Sequence, residues 1–163
     1  MNVRASGILL AVALVSTAAA ARPDPDPSIT DTVFVAALQG ATAELLTEDV
    51  RASGAVACLQ IDEGQGVRSV PEGSLRQFPQ PADVRYGDEC DVRPEGAIEA
   101  ATGTPAFVLT AGPITWVSAD EAHVSITYFR SSTESATRLY RVVRERAGWV
   151  CLGQIIKMAP ALS

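Results

Sequence analysis

The chain has 163 residues, 13 lysines and arginines against 19 aspartates and glutamates for a formal charge of −6, 47% hydrophobic residues, three cysteines and a single histidine. That length holds one ordinary domain. The acidic balance, with cations spread thinly, lacks the basic footprint that nucleic-acid binding requires, and one histidine excludes any site built on two imidazoles, such as the two-histidine helix of a metalloprotease or a three-histidine zinc cage.

The first 21 residues read as an export signal. Met1-Asn2-Val3-Arg4 is a short positive start, Gly7 to Val15 an apolar core, and Ala18 to Ala21 the small residues of a cleavage site, placed near Ala21/Arg22. The uncharged run from Ala5 to Ala21 is short for a membrane span, and no cysteine stands near the cut to take a lipid, so no membrane anchor is expected. Removing 21 of 163 residues leaves 142, and losing Arg4 moves the charge from −6 to −7. The expected location is periplasmic or extracellular. Residues 22–28, with Pro and Asp alternating from Pro23 to Pro27, deny backbone donors and predict an extended tether. Residues 29–160 then form a single domain.

Thr30 or Asp31 can cap a helix over about Asp31–Val50, whose apolar stripe is Phe34, Leu38, Ala41 and Leu45. Gly54 ends it. Ala55 to Asp62 is a mostly apolar run that predicts a strand buried on both faces. From Glu63 to about Gly103 the chain is rich in Gly, Pro and charge. Within it Ser69-Val70-Pro71-Glu72 predicts a short helix to about Phe78, burying Leu75 and Phe78, and Ala97 to Ala101 predicts a further helical turn. After Pro105 the period becomes that of strands: Ala106–Thr110, Ile114–Ser118, Ala122–Arg130, Ala136–Arg146 and Trp149–Met158, joined as antiparallel hairpins. Alternation puts Val124, Ile126 and Tyr128 on one face and His123, Ser125, Thr127 and Phe129 on the other. The following strand sets Leu139, Arg141, Val143 and Glu145 against Arg138, Tyr140, Val142 and Arg144.

Cys58, Cys90 and Cys151 allow three single pairings with one thiol left over, and spacing alone does not choose among them. Cys58–Cys90 is preferred, because Cys90 lies in the polar, loop-like stretch Tyr86 to Asp91 and gains most from being pinned to a strand. Cys151, in Trp149-Val150-Cys151-Leu152, reads as a small buried hydrophobe. No residue nearby in sequence marks it as a catalytic thiol.

A long helix, a region of small helices and a run of long antiparallel strands, with Ile114 to Tyr128 followed by Leu139 to Val150 and its Gly148-Trp149 turn, resembles the nuclear-transport-factor-2-like, or cystatin-like, fold. The resemblance is strongest from Pro113 to Met158. It implies an α+β architecture in which an N-terminal helix and short helices pack on a curved antiparallel sheet, a cone-like meander. Ala57-Cys58-Leu59-Gln60-Ile61 with Cys90 also resembles uncharacterised exported bacterial proteins, which implies a Cys58–Cys90 disulfide.

Isomerase-like members of the cone fold imply an Asp or His base facing an apolar pocket opposite a Tyr or acid donor. The candidates are His123, Asp120 and Tyr128, although His123 directly after a polar turn also reads as a strand-end residue and Tyr128 as a cross-strand packer. Tyr140, Arg138, Arg141 and Arg144 are binding candidates, the arginines with Arg146 forming a local positive run in an acidic chain. Asp88-Glu89-Cys90-Asp91 lacks the spacing of a calcium loop. With no phosphate cradle, nucleophile elbow or paired-carboxylate signature, no metal or cofactor is expected. The favoured function is a non-enzymatic module binding a small apolar ligand or a protein partner. The alternative is a small isomerase- or dehydratase-like enzyme using a pocket in the sheet.

Overall fold

Asp26 opens the first helix: its carboxylate accepts the Ser28 backbone N–H at 2.9 Å, and Pro27 supplies the preset φ of a first helical residue. The computed structural model describes residues 26–156. The expected export signal, residues 1–21, and residues 22–25 of the expected tether lie outside the described residues. Helix α1 (Pro27–Leu45) therefore takes up Pro27 and Ser28, expected in the tether, and the cap is four to five residues upstream of Thr30 and Asp31. It ends before Val50, and a separate short helix α2 (Glu48–Ala52) follows.

Nine strands form one sheet: β1 (Val56–Asp62), β2 (Val67–Ser69), β3 (Val84–Tyr86), β4 (Cys90–Arg93), β5 (Gly96–Glu99), β6 (Pro105–Trp116), β7 (Glu121–Ser131), β8 (Glu134–Glu145) and β9 (Gly148–Ile156). The main path runs β2-β1-β6-β7-β8-β9, with β3 on β1 and the β4–β5 hairpin joined through β5 to β6. The architecture is α+β, as the sequence predicts. The sheet is mixed rather than wholly antiparallel: β1 runs parallel to β6, from Val56 opposite Ala106 to Ile61 opposite Ala111, and parallel to β3. The long crossover between β1 and β6 makes this possible, since parallel neighbours need a long connection.

Ala106–Thr110 and Ile114–Ser118, expected as two strands, are one strand. The register shifts between Ala111 and Ile114, so Gly112-Pro113 sits in an irregularity that absorbs a proline without a ladder donor. Ala97 to Ala101, expected as a helical turn, instead begins in strand β5, which pairs with β4 and β6. The short helix expected from Val70 contracts to a 3₁₀ turn, Ser74–Gln77, that still buries Phe78 and partly buries Leu75.

Two apolar layers flank β1. Ala57, Leu59 and Ile61 face α1 in the main core with Val33, Ala37, Leu38, Leu109, Val124, Ile126, Tyr140 and Val142. Val56 and Cys58 face the other way, into a smaller cluster with Ala97, Ala106, Val108 and Phe129. The Cys58–Cys90 disulfide closes that second layer and fastens β4 over the back of β1. Helix α1 is buried over an unbroken stretch from Val33 to Leu38 because the segment after β2 covers its far flank: Val70 and Phe78 join the core and the Gln39 amide donates to the Gln77 carbonyl at 2.7 Å. No helix among the described residues is long and apolar enough to cross a membrane.

Candidate functional site

Alternation along β7 and β8 decides which of the candidate side chains meet. Tyr128, Arg138 and Tyr140 lie on the α1 side of the sheet, and one residue of α1, Glu44, gathers two of them. The Arg138 guanidinium donates to Glu44 Oε1 at 2.5 Å and the Tyr140 hydroxyl donates to Glu44 Oε2 at 3.0 Å. The same guanidinium lies 5.5 Å from the centre of the Tyr128 ring, within cation–π range. Tyr140 is fully buried apart from this contact. Burial first, and then the neighbouring Glu44 carboxylate, push its hydroxyl well above the ordinary tyrosine value, so it acts as a fixed donor.

Next to this cluster, where α1 gives way to α2, a pocket of about 220 Å³ opens between the helices and the sheet. Leu45, Val50, Phe107 and Tyr128 form its apolar walls, and Arg130, Glu134 and Arg138 its polar rim. Arg138 is held in place by Glu44. Arg130 is not held so firmly: both its contacts to the Glu134 carboxylate are long, at 3.4 Å, and both side chains are half exposed. Exposed pairs of this kind are worth little, so a ligand carboxylate can replace Glu134 at Arg130 at small cost.

His123 and Arg141 occupy the opposite face. They are cross-strand neighbours there, and Glu121 joins them: Arg141 donates to both Glu121 oxygens at 2.9 and 2.8 Å, while His123 Nε2 lies 3.2 Å from Glu121 Oε1. The Arg141 hydrogen bonds hold the Glu121 carboxyl below its usual range. Asp120 is exposed in the β6–β7 turn, its carbonyl accepting the Arg144 backbone N–H at 2.8 Å. Tyr128 lies five positions along β7 from His123, roughly 16 Å of extended chain, and on the other face. The sequence candidates His123, Asp120 and Tyr128 are thus not brought together. Nor do the arginines form one patch: Arg138 faces α1, Arg141 faces the back, and exposed Arg144 lies six residues, about 20 Å of extended strand, beyond Arg138.

Glu44, Leu45, Val50 and Phe107 are the site residues that sequence reading missed. Glu44 lies on the polar flank of an apolar helix, and nothing local marks it as the partner of Arg138, 94 residues away. The acidic stretch Asp88 to Asp91 disperses: Asp88 accepts from Ser69, Glu89 accepts the Tyr86 N–H and Asp91 pairs with Arg93. Among the described residues no three His, Cys, Asp or Glu side chains converge as metal ligands. Cys151 is a free, partly buried thiol whose pKa is raised by burial, the reverse of an activated nucleophile.

Compared with models of known protein families, with curated proteins and with solved structures, the chain matches none.

Proposed function

We propose that this chain is an exported, non-enzymatic binding domain of the nuclear-transport-factor-2-like, cone-like type, and that its ligand seat is the pocket between the α1–α2 junction and the sheet. The ligand class that fits is a small molecule with an apolar body and an acidic end. The body would lie on Leu45, Val50, Phe107 and Tyr128, and the acid would meet Arg130 in place of Glu134. The observation that carries this reading is a pocket with apolar walls and a charged mouth, where Arg138 is hydrogen-bonded to Glu44 and the long Arg130–Glu134 pair is exchangeable. Strand irregularities between Ala111 and Ile114 and between Phe129 and Ser131 support the curvature that a cone needs. The export signal in residues 1–21 and the intramolecular disulfide support a periplasmic or extracellular location.

The isomerase- or dehydratase-like reading has less support. Its bases, His123 and Asp120, stand on the far face and in a turn, away from this pocket.

Native mass spectrometry of protein taken from its own exported fraction tests the proposal. The expected result is a mass excess that is lost on denaturation and is absent from a Val50→Trp variant, in which an indole fills the pocket. A bare wild-type protein, or an excess that survives the filling substitution, would overturn it.

A further inference from the structure

The interface between α1 and the sheet opens at its other end as well, and there the charge is different. At the start of α1 a groove of about 670 Å³ lies between Thr30 and Phe34 on the helix and Pro113, Ile114 and Trp116 on β6, with Asp62 and Glu63 on its rim. Ile114 and Trp116 stand opposite Val124 and Ala122, so they point to the α1 side of the sheet; they remain only partly buried, whereas Val124 and Ala122 are fully covered. The Trp149 ring props Trp116 edge-on, with centroids 5.6 Å apart. Three carboxylates surround this end: Asp31, Asp62 and Glu63. Arg68 is the cation among them, and it is already shared between Asp31 at 2.5 Å and Glu63 at 2.8 Å. Asp62 accepts the Gly64 backbone N–H at 2.8 Å, and among the described residues no lysine or arginine pairs with it. The groove therefore combines the Trp116 indole and the side chains of Ile114 and Pro113 with an excess of negative charge.

We propose that this groove binds a small organic cation, an ammonium group on an aromatic or aliphatic body, with the ammonium at Asp62 and the body against Trp116 and Ile114. The volume falls within the range of small-molecule sites. An indole lining the same groove as a carboxylate attracts a cation in two ways, through the ring quadrupole and through direct charge pairing. A like-sized anion meets repulsion from the same rim. This proposal is independent of the pocket at the α1–α2 junction, where arginines and glutamates occur in equal number.

Titration of the whole chain with 2-phenylethylammonium, followed by tryptophan fluorescence and calorimetry, tests it, with 3-phenylpropanoate as the anion of similar size. The expected result is saturable binding of the ammonium, weakened by added salt, and no binding of the propanoate at this site. Asp62→Asn keeps an acceptor for Gly64 and should weaken the ammonium by about fivefold, as loss of an exposed ion pair does, with an unchanged melting temperature. Equal binding of the propanoate, an Asp62→Asn titration that superimposes on wild type, or no saturable change up to the solubility of the probe would overturn the proposal. So would trilysine binding where the small amine does not, which would make the occupant a basic peptide, or self-association that the amine disperses, which would make it a second copy of the chain.

Discussion

Gly40 in the middle of α1 lies directly against Cys151 in β9: a Cβ at position 40 would overlap both the sulfur and the Cβ of that cysteine. The two elements can approach closely only because one position lacks a side chain and the other carries a small one. A helix would ordinarily favour Ala over Gly by about 1 kcal/mol. Gly40→Ala should nonetheless lower stability, by up to about 2 kcal/mol, since forced overpacking of a filled interface costs about 1–3 kcal/mol before that gain is subtracted. The midpoint of urea unfolding measures it, and a midpoint at or above wild type would show that the helix and strand can separate freely.

The Cys58–Cys90 disulfide spans 32 residues and fastens the β4–β5 hairpin over the back of β1. Its removal in the double variant Cys58→Ser/Cys90→Ser should cost about 2–4 kcal/mol. The loss should be local before it is global: amide exchange in β4 and β5 should accelerate while α1 and β7 stay protected.

Tyr140 supplies an alkaline prediction. Its folded pKa lies above the ordinary value, so its contribution to stability is complete below the unfolded tyrosine pKa of about 10 and is lost as pH rises beyond it. A spectrophotometric titration should show a phase above the ordinary tyrosine range, and Tyr140→Phe should delete that late phase. The same substitution removes the hydrogen bond to Glu44 and should cost about 0.5–1.5 kcal/mol.

Acid should act through Glu99 and Glu121. Hydrogen bonds from Thr102 and then Arg85 hold the Glu99 carboxyl below its usual value, and those from Arg141 do so for Glu121. Both folded pKa values are depressed, so the stability they give is present above the ordinary glutamate pKa of about 4.3 and is lost as pH falls below it. Glu99→Gln should flatten the acid limb of the stability profile. Arg85→Ala should lower the melting temperature at neutral pH more than Glu99→Gln does, because it leaves a buried carboxylate without its cation.

Much of the fold is legible where a local pattern has one physical solution. Alternation in Ala122–Arg130 sets Val124 and Ile126 on the face opposite His123, and the structure buries the first pair while His123 is only partly covered. The apolar run Ala55 to Asp62 predicts a strand covered on both faces, and β1 is covered by α1 on one side and by the disulfide-fastened hairpin on the other. What is not legible is long-range pairing. Nothing in Val56–Ile61 states that its partner is Ala106–Ala111, or that the pair is parallel. The Glu63–Gly103 region misleads because β2, β3 and β5 pair with the distant β1 or β6, β4 pairs only with β5, and all four are short with little periodicity of their own. At the pocket, Tyr128, Tyr140 and Arg138 are visible as residue types in a strand, but their common partner Glu44 is not, because the contact depends on where α1 lies across the sheet.

If a small ligand with an apolar body and an acidic end sits at the α1–α2 junction, titration of the ¹⁵N-labelled protein with hexanoate should give saturable backbone amide shifts clustered at Leu45, Val50, Phe107, Tyr128 and Arg130. Shifts centred on His123 and Arg141 at the back of the sheet, or no saturable shifts at all, would contradict that placement.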